Sequence, residues 1–120
     1  MQERNEQMEC KVSEADGILT VAIEGRLVAA CVDEAKELVL PQVERVPRVV
    51  LDLSQMIHID SSGLGLLVRF LQKATEKGGS VKIACLQAHP RVVFDITKAY
   101  RVFEIYDSVE AAVAAFATPS

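Results

Sequence analysis

The string Asp60, Ser61, Ser62, Gly63, Leu64, Gly65 puts a carboxylate, two hydroxyls and two glycines into six consecutive positions. A carboxylate just before an apolar-periodic run accepts from the free N–H groups of a helix's first turn, so Asp60 is expected to be an amino-terminal cap. Gly63 and Gly65 each cost about 1 kcal/mol relative to alanine inside a helix. Two of them in the opening turns call for a compensating reason. Either another surface approaches the backbone closely, or the helix packs tightly on a sheet. Two hydroxyls beside those glycines form a small knob that a modifying enzyme can reach. The plainer reading of the same string is a capped helix start with closely packed glycines and no further role.

Other chemistries fit the residues less well. An enzyme reading makes Ser61 or Ser62 a nucleophile, with His58 or His89 as base and helix N–H groups as oxyanion donors. A nucleophile elbow, however, has glycine two positions either side of the serine. Ile59 and Gly63 flank Ser61, and Asp60 and Leu64 flank Ser62. A phosphate-cradling reading of the glycines finds neither GxGxxG nor GxxxxGK, and Asp60 would repel an anion at that helix end. Cys10, Cys31 and Cys85 are odd in number and far apart, without a CxxC pair. That disfavours a zinc site or disulfide framework and leaves them as small buried hydrophobes. No metal or cofactor is expected. Arg26, Arg69 and Arg91 are candidates for a partner surface.

The elements that must hold this knob follow from periodicity. Cys10 and Val12 alternate with polar neighbours, and Ile18, Leu19, Val21 and Ile23 form a second run. The two pair as a hairpin across the EADG turn. From Ala29 to about Arg45 the apolar positions Val32, Ala35, Leu38 and Val39 recur at helical intervals, and Pro41 is expected to stop or kink that helix near Leu40. Val49, Val50, Leu51 and Leu53 read as a buried strand. The SQMIHI stretch then leads into Asp60 and a helix with Leu64, Leu67, Val68, Leu71 and Ala74 on one stripe, closed by Gly78 and Gly79. A strand at Val81, Ile83 and Cys85 follows. Pro90 is expected at the first position of a helix reaching about Ala99, and an edge strand is expected over Val102 to Tyr106. Asp107 or Ser108 caps a final helix, Val109 to Ala117, with Glu110 as capping-box partner. Phe94, Phe103 and Phe116 are expected in the core. The order ββαβαβαβα implies a single α/β domain over 1–120, residues 1–7 being a frayed start, with a mixed, mostly parallel sheet.

The whole chain sets the boundaries. Its 120 residues suit one domain, half of them are apolar, and a quarter are charged, a balance that supports a packed core without disulfides. A net charge of −4 disfavours direct nucleic-acid contact, which wants a basic face. The polar start MQERNEQMEC is unlike a signal peptide, and Ala111 to Ala117 is far short of the ~20 apolar residues of a spanning helix. A soluble cytoplasmic protein with no membrane insertion is expected.

The segment VVLDLSQMIHIDSSGLGLLVRFLQKATEKGGSVKIACL resembles the central part of the STAS domain, the family of sulphate-transporter domains and bacterial anti-sigma factor antagonists. HPRVVFDITKAYRVFEIYDSVEAAV is similar to the family's closing helix, strand and helix, so the likeness spans nearly the whole chain. The resemblance implies a non-enzymatic transcription regulator. In the antagonist branch the first hydroxyl after the aspartate is phosphorylated, which here is Ser61, with Ser62 as its neighbour. It implies a serine kinase that is also the anti-sigma factor, and a phosphatase, as partners. Asp60, Ser61, Ser62, Gly63, Leu64 and Gly65 would form the partner surface, flanked by the loop Gly25 to Ala30 with Arg26 and Val28. That loop reads GRLVAAC where antagonists carry a GELDxxTA-like segment, so Val28 stands where relatives have an acid. The alternative inside the family is a STAS scaffold or regulatory subunit of a transporter or signalling assembly, with no sigma-factor circuit.

Overall fold

The computed structural model describes residues 8–117; the expectation of a frayed start at 1–7 lies outside them. β1 (Met8–Ala15) and β2 (Ile18–Leu27) pair antiparallel, with Ala15 opposite Ile18. Only Asp16 and Gly17 separate the strands, and both have positive φ, 55° and 78°. That is the turn whose twist matches paired strands, and Asp-Gly suits it because both residues tolerate the left-handed region.

Beyond the hairpin the sheet is parallel. β3 (Arg48–Asp52) adds to β2, β5 (Ser80–Ala84) adds to β3, and β6 (Glu104–Tyr106) forms the far edge, giving the order β1-β2-β3-β5-β6. β4 (Met56–Ile59) leaves this path and pairs parallel with the end of β2, after a register shift between Gly25 and Arg26. Sequence periodicity missed β4, because four residues directly after a turn give no measurable alternation. The edge strand is also shorter than expected, since Ala99–Arg101 coil into a 3-10 turn before it.

Two cores lie on opposite faces of the sheet. The larger contains Leu19, Val21, Ile23, Val49, Leu51, Val81 and Ile83 from the strands. Helices α1 (Ala29–Arg45), α2 (Ser61–Glu76) and α3 (Ala88–Thr97) close over it through Val39 and Val43, Leu67 and Phe70, and Phe94. The smaller joins Ile18, Val50, Ala84 and Ala112 beneath α4 (Val109–Ala117). Lys82 is the buried charged residue of this second face. Its ammonium pairs with Glu104 and lies 4.7 Å from the centre of the Phe116 ring, so the charge is compensated on both sides.

Several sequence expectations need correction. Pro41 does not end α1, which runs on to Arg45. Proline leaves the Glu37 carbonyl without its helical donor, but Glu37 and Pro41 both face solvent, where water can serve the carbonyl. Buried Val43 meanwhile holds the last turn against the core. α3 begins at Ala88, so Pro90 is its third residue. Ser108 caps α4, its hydroxyl accepting from the Ala111 N–H at 3.0 Å, so Glu110 falls one place short of the capping-box position. Cys31 is buried as expected, but Cys10 and Cys85 are half-buried, as is Phe116. Their elements, β1, the end of β5 and α4, lie at the margins of the two cores.

Candidate functional site

Asp60 organises the region to which the DSSGLG string points. Its backbone is extended (φ −107°, ψ −176°), and one carboxylate oxygen, Oδ1, accepts from the Gly63 N–H at 2.9 Å. The other, Oδ2, accepts from the Ala29 N–H at 3.1 Å, across 31 residues of chain. One side chain thus serves the amino ends of two helices, α2 and α1. Both ends carry partial positive charge from aligned peptide dipoles, so a carboxylate between them is stabilised twice. The residue that starts α1, Val28, offers no side-chain cap of its own. Asp60 supplies it from across the junction. The backbone closes the same seam, with the Asp60 N–H donating to the Leu27 carbonyl at 3.3 Å.

The two glycines have different reasons. Gly63 is buried, and a Cβ built on it would lie 2.2 Å from the Leu27 carbonyl oxygen and 2.9 Å from Ile59 Cγ1. Only glycine allows α2 to sit this close to the end of β2. Gly65 is exposed, and a Cβ there would meet nothing within 4 Å. No packing inside the molecule explains it.

Ser61 and Ser62 occupy the first two positions of α2 and are both exposed, while Leu64 is 7% exposed and packs into the main core. The clamp through Asp60 brings the α1 junction, with half-buried Val28, to the start of α2. Arg26 is exposed and is the register partner of His58 across β2 and β4. His58 and His89 lie away from the serines, in a wall that includes neither Ser61 nor Ser62. They line a separate cleft with Arg26. Sequence reasoning saw the cap and the hydroxyls but not the second bond of Asp60, because nothing local announces a partner 31 residues away.

Comparison with known proteins agrees with this architecture. The model of the STAS domain family matches residues 9–112. BtrV of Bordetella bronchiseptica, named as a candidate anti-sigma factor antagonist, is 30% identical over 112 residues, covering 92% of this chain and 97% of its own. A crystal structure of a candidate anti-sigma factor antagonist from Thermotoga maritima superposes with a TM-score of 0.82 at 21% identity, covering 88% of this chain and 92% of that one. SpoIIAA, an anti-sigma factor antagonist of Bacillus, has been solved in two forms. The unphosphorylated form gives a TM-score of 0.69 at 12% identity, covering 91% and 97% of the two chains. The phosphorylated form gives 0.70 at 14% identity, covering 90% and 99%.

Proposed function

The chain belongs to the STAS domain family, in its anti-sigma factor antagonist branch, and from that premise we propose that it is a bacterial, cytoplasmic interaction switch controlled by phosphorylation of Ser61. Unmodified, it captures an anti-sigma factor that is also a serine kinase. Phosphorylated, it is released, and a phosphatase resets it. The protein itself performs no catalysis; it is the substrate. The surface comprises exposed Ser61, Ser62 and Gly65 with half-buried Asp60, flanked by Val28 at the β2–α1 junction and Arg26 near the end of β2; Gly63 and Leu64, expected on it, are buried and support it from beneath.

The observation that carries this reading is the placement of an exposed hydroxyl on the first residue of a helix that the Asp60 clamp holds rigidly against a second helix. A kinase can reach it without unfolding anything, and the charge it gains appears on a surface that does not move away. A phosphoserine adds about 1.5 to 2 negative charges. Against a partner carboxylate ~5 Å away, each charge costs about 3 kcal/mol at an effective dielectric of 20. Half of that total, after screening, still exceeds the ~1.4 kcal/mol of a tenfold affinity change. The helix amino end favours the phosphate within the molecule by only ~0.3–1 kcal/mol, so the effect falls on docking and not on folding. The existence of SpoIIAA in both forms on a similar fold supports a fold that tolerates the modification.

Incubation with candidate kinases and ATP, followed by intact-mass analysis, tests the assignment. One phosphate is expected on the wild type and none on Ser61→Ala. A gain that persists in the alanine variant moves the site to Ser62 or elsewhere. Capture from cell extract tests the partner class: a small ATPase is expected, whereas transport subunits would favour the scaffold.

A further inference from the structure

A second feature lies apart from the serines. A cleft of about 440 Å³ has Arg26, Gln55, Met56, His58, Gln87 and His89 in its wall. It sits where the chain leaves the carboxyl ends of adjacent strands: Arg26 near the end of β2, Ser54 and Gln55 in the β3–β4 turn, and Gln87 and His89 at the start of α3. In α/β sheets that edge is where ligands are met. Its volume is within the range of small-molecule sites.

The charge of its wall is the informative part. The chain as a whole carries −4, yet no carboxylate lines this cleft, whereas one arginine and both of the chain's histidines do. Arg26 has no acidic partner among the described residues. Nearby acids are engaged elsewhere: an oxygen of Asp52 accepts from the Ser54 N–H at 3.0 Å, and Glu24 pairs with Lys11. The start of α3 adds to the same sign, since no side chain caps it and no acid stands in its first turn. Met56, which is buried, with exposed Ile57 and with Pro90, supplies an apolar part of the wall.

We infer that this cleft binds the dianionic phosphate group of a small organic phosphomonoester, with Arg26, His58 and His89 facing the phosphoryl oxygens and Met56, Ile57 and Pro90 against the organic part. An arginine fork suits phosphate geometry. Three donor side chains with no acid among them match the three oxygens of a phosphoryl group better than the two of a carboxylate. The site differs from the start of α2, where the Asp60 carboxylate already holds the N–H groups an anion would need. Arg26 is the one residue it shares with the proposed docking surface, and the cleft includes neither Ser61 nor the start of α2.

Titration of the ¹⁵N-labelled full chain by two-dimensional NMR tests this, with inorganic phosphate, phenyl phosphate and benzoate as probes. Phenyl phosphate is expected to give saturable shifts confined to the amides of Arg26, Gln55, His58, Gln87 and His89, and to bind at least threefold more tightly than inorganic phosphate and tenfold more tightly than benzoate. Gln55→Glu, which keeps the shape of an exposed side chain but adds the missing carboxylate, should weaken phenyl phosphate at least tenfold with an otherwise unchanged spectrum. Arg26→Gln should do the same. Shifts that stay linear in concentration, that centre on Ser61 and Ser62, or that are equal in Gln55→Glu would overturn the site. Equal affinity for inorganic and phenyl phosphate would overturn the organic part of the assignment, and equal affinity for benzoate would overturn the dianion.

Discussion

Replacing the two glycines of the DSSGLG string by alanine should move stability in opposite directions. At Gly63 the new methyl group would stand 2.2 Å from the Leu27 carbonyl oxygen and within about 3 Å of Ile59 Cγ1 and Leu27 Cγ. A backbone oxygen cannot swing aside like the end of a flexible side chain. Either α2 lifts from β2 or the end of β2 shifts, and the Asp60 bonds to Ala29 and Gly63 lengthen with it. Overpacking costs ~1–3 kcal/mol, set against a gain of ~1 kcal/mol in helix propensity. The upper part of that range applies because the contact is with main chain, so Gly63→Ala should lose about 2 kcal/mol. At Gly65 the methyl group meets nothing, and the propensity gain stands alone, so Gly65→Ala should gain up to ~1 kcal/mol. Urea unfolding measures both, read as a shift of midpoint at constant m value. A Gly63→Ala variant as stable as wild type, or a destabilised Gly65→Ala, would refute the reasoning. The functional counterpart is sharper still. If Gly65 is kept bare so that a partner can approach α2, the more stable Gly65→Ala variant should bind that partner several-fold more weakly.

Further outcomes follow from individual contacts. Asp60→Asn keeps one acceptor where the carboxylate offers two to separate helix ends, so it should cost ~1–2 kcal/mol in the same unfolding assay. Lys82→Ala should cost ~1–2 kcal/mol by opening the second core and losing the Phe116 contact, whereas Lys82→Met should stay within about 1 kcal/mol of wild type, because Glu104 is 61% exposed and is left to water. Glu104 is held below its ordinary range, first by the hydrogen bond from Lys82 and then by that from Tyr106. Its contribution is therefore present above pH 4.5 and fades as pH falls through the lowered value, so Glu104→Gln should flatten that acid limb of the stability curve. Burial, and then the charge of Glu34, push the Cys10 thiol up to about 11. At pH 8 about one molecule in a thousand then carries the thiolate, and alkylation of Cys10 monitored by mass should be slow and should accelerate tenfold per pH unit up to that range.

How much of this was legible in the residues depended on whether the signal was local. The Asp-Gly turn and the Asp60 cap are written in neighbouring positions and appear where expected, whereas of the expected stripe Leu64, Leu67 and Ala74 are buried, Val68 and Leu71 are half-buried, and Phe70, outside it, is fully buried. Of the two outcomes expected at Pro41, a stop or a kink, the stop does not occur, because Glu37 and Pro41 lie on the exposed side of α1 while buried Val43 holds its last turn. β4 was invisible because its identity comes from pairing with β2, not from its own four residues. Gly63 and Gly65 look equivalent in sequence. Only the approach of Leu27 to one of them separates a packing glycine from an open one. The cleft formed by Arg26, His58 and His89 likewise assembles three distant stretches that carry no shared motif.

What a charge at Ser61 does to docking decides whether the protein is a switch. The affinity of the captured kinase for the protein, prepared with and without a phosphate on Ser61 and measured by calorimetry without ATP, is the direct test. At least tenfold weaker binding of the phosphorylated form is expected, with its thermal stability essentially unchanged. Equal affinities for the two forms would contradict the switch.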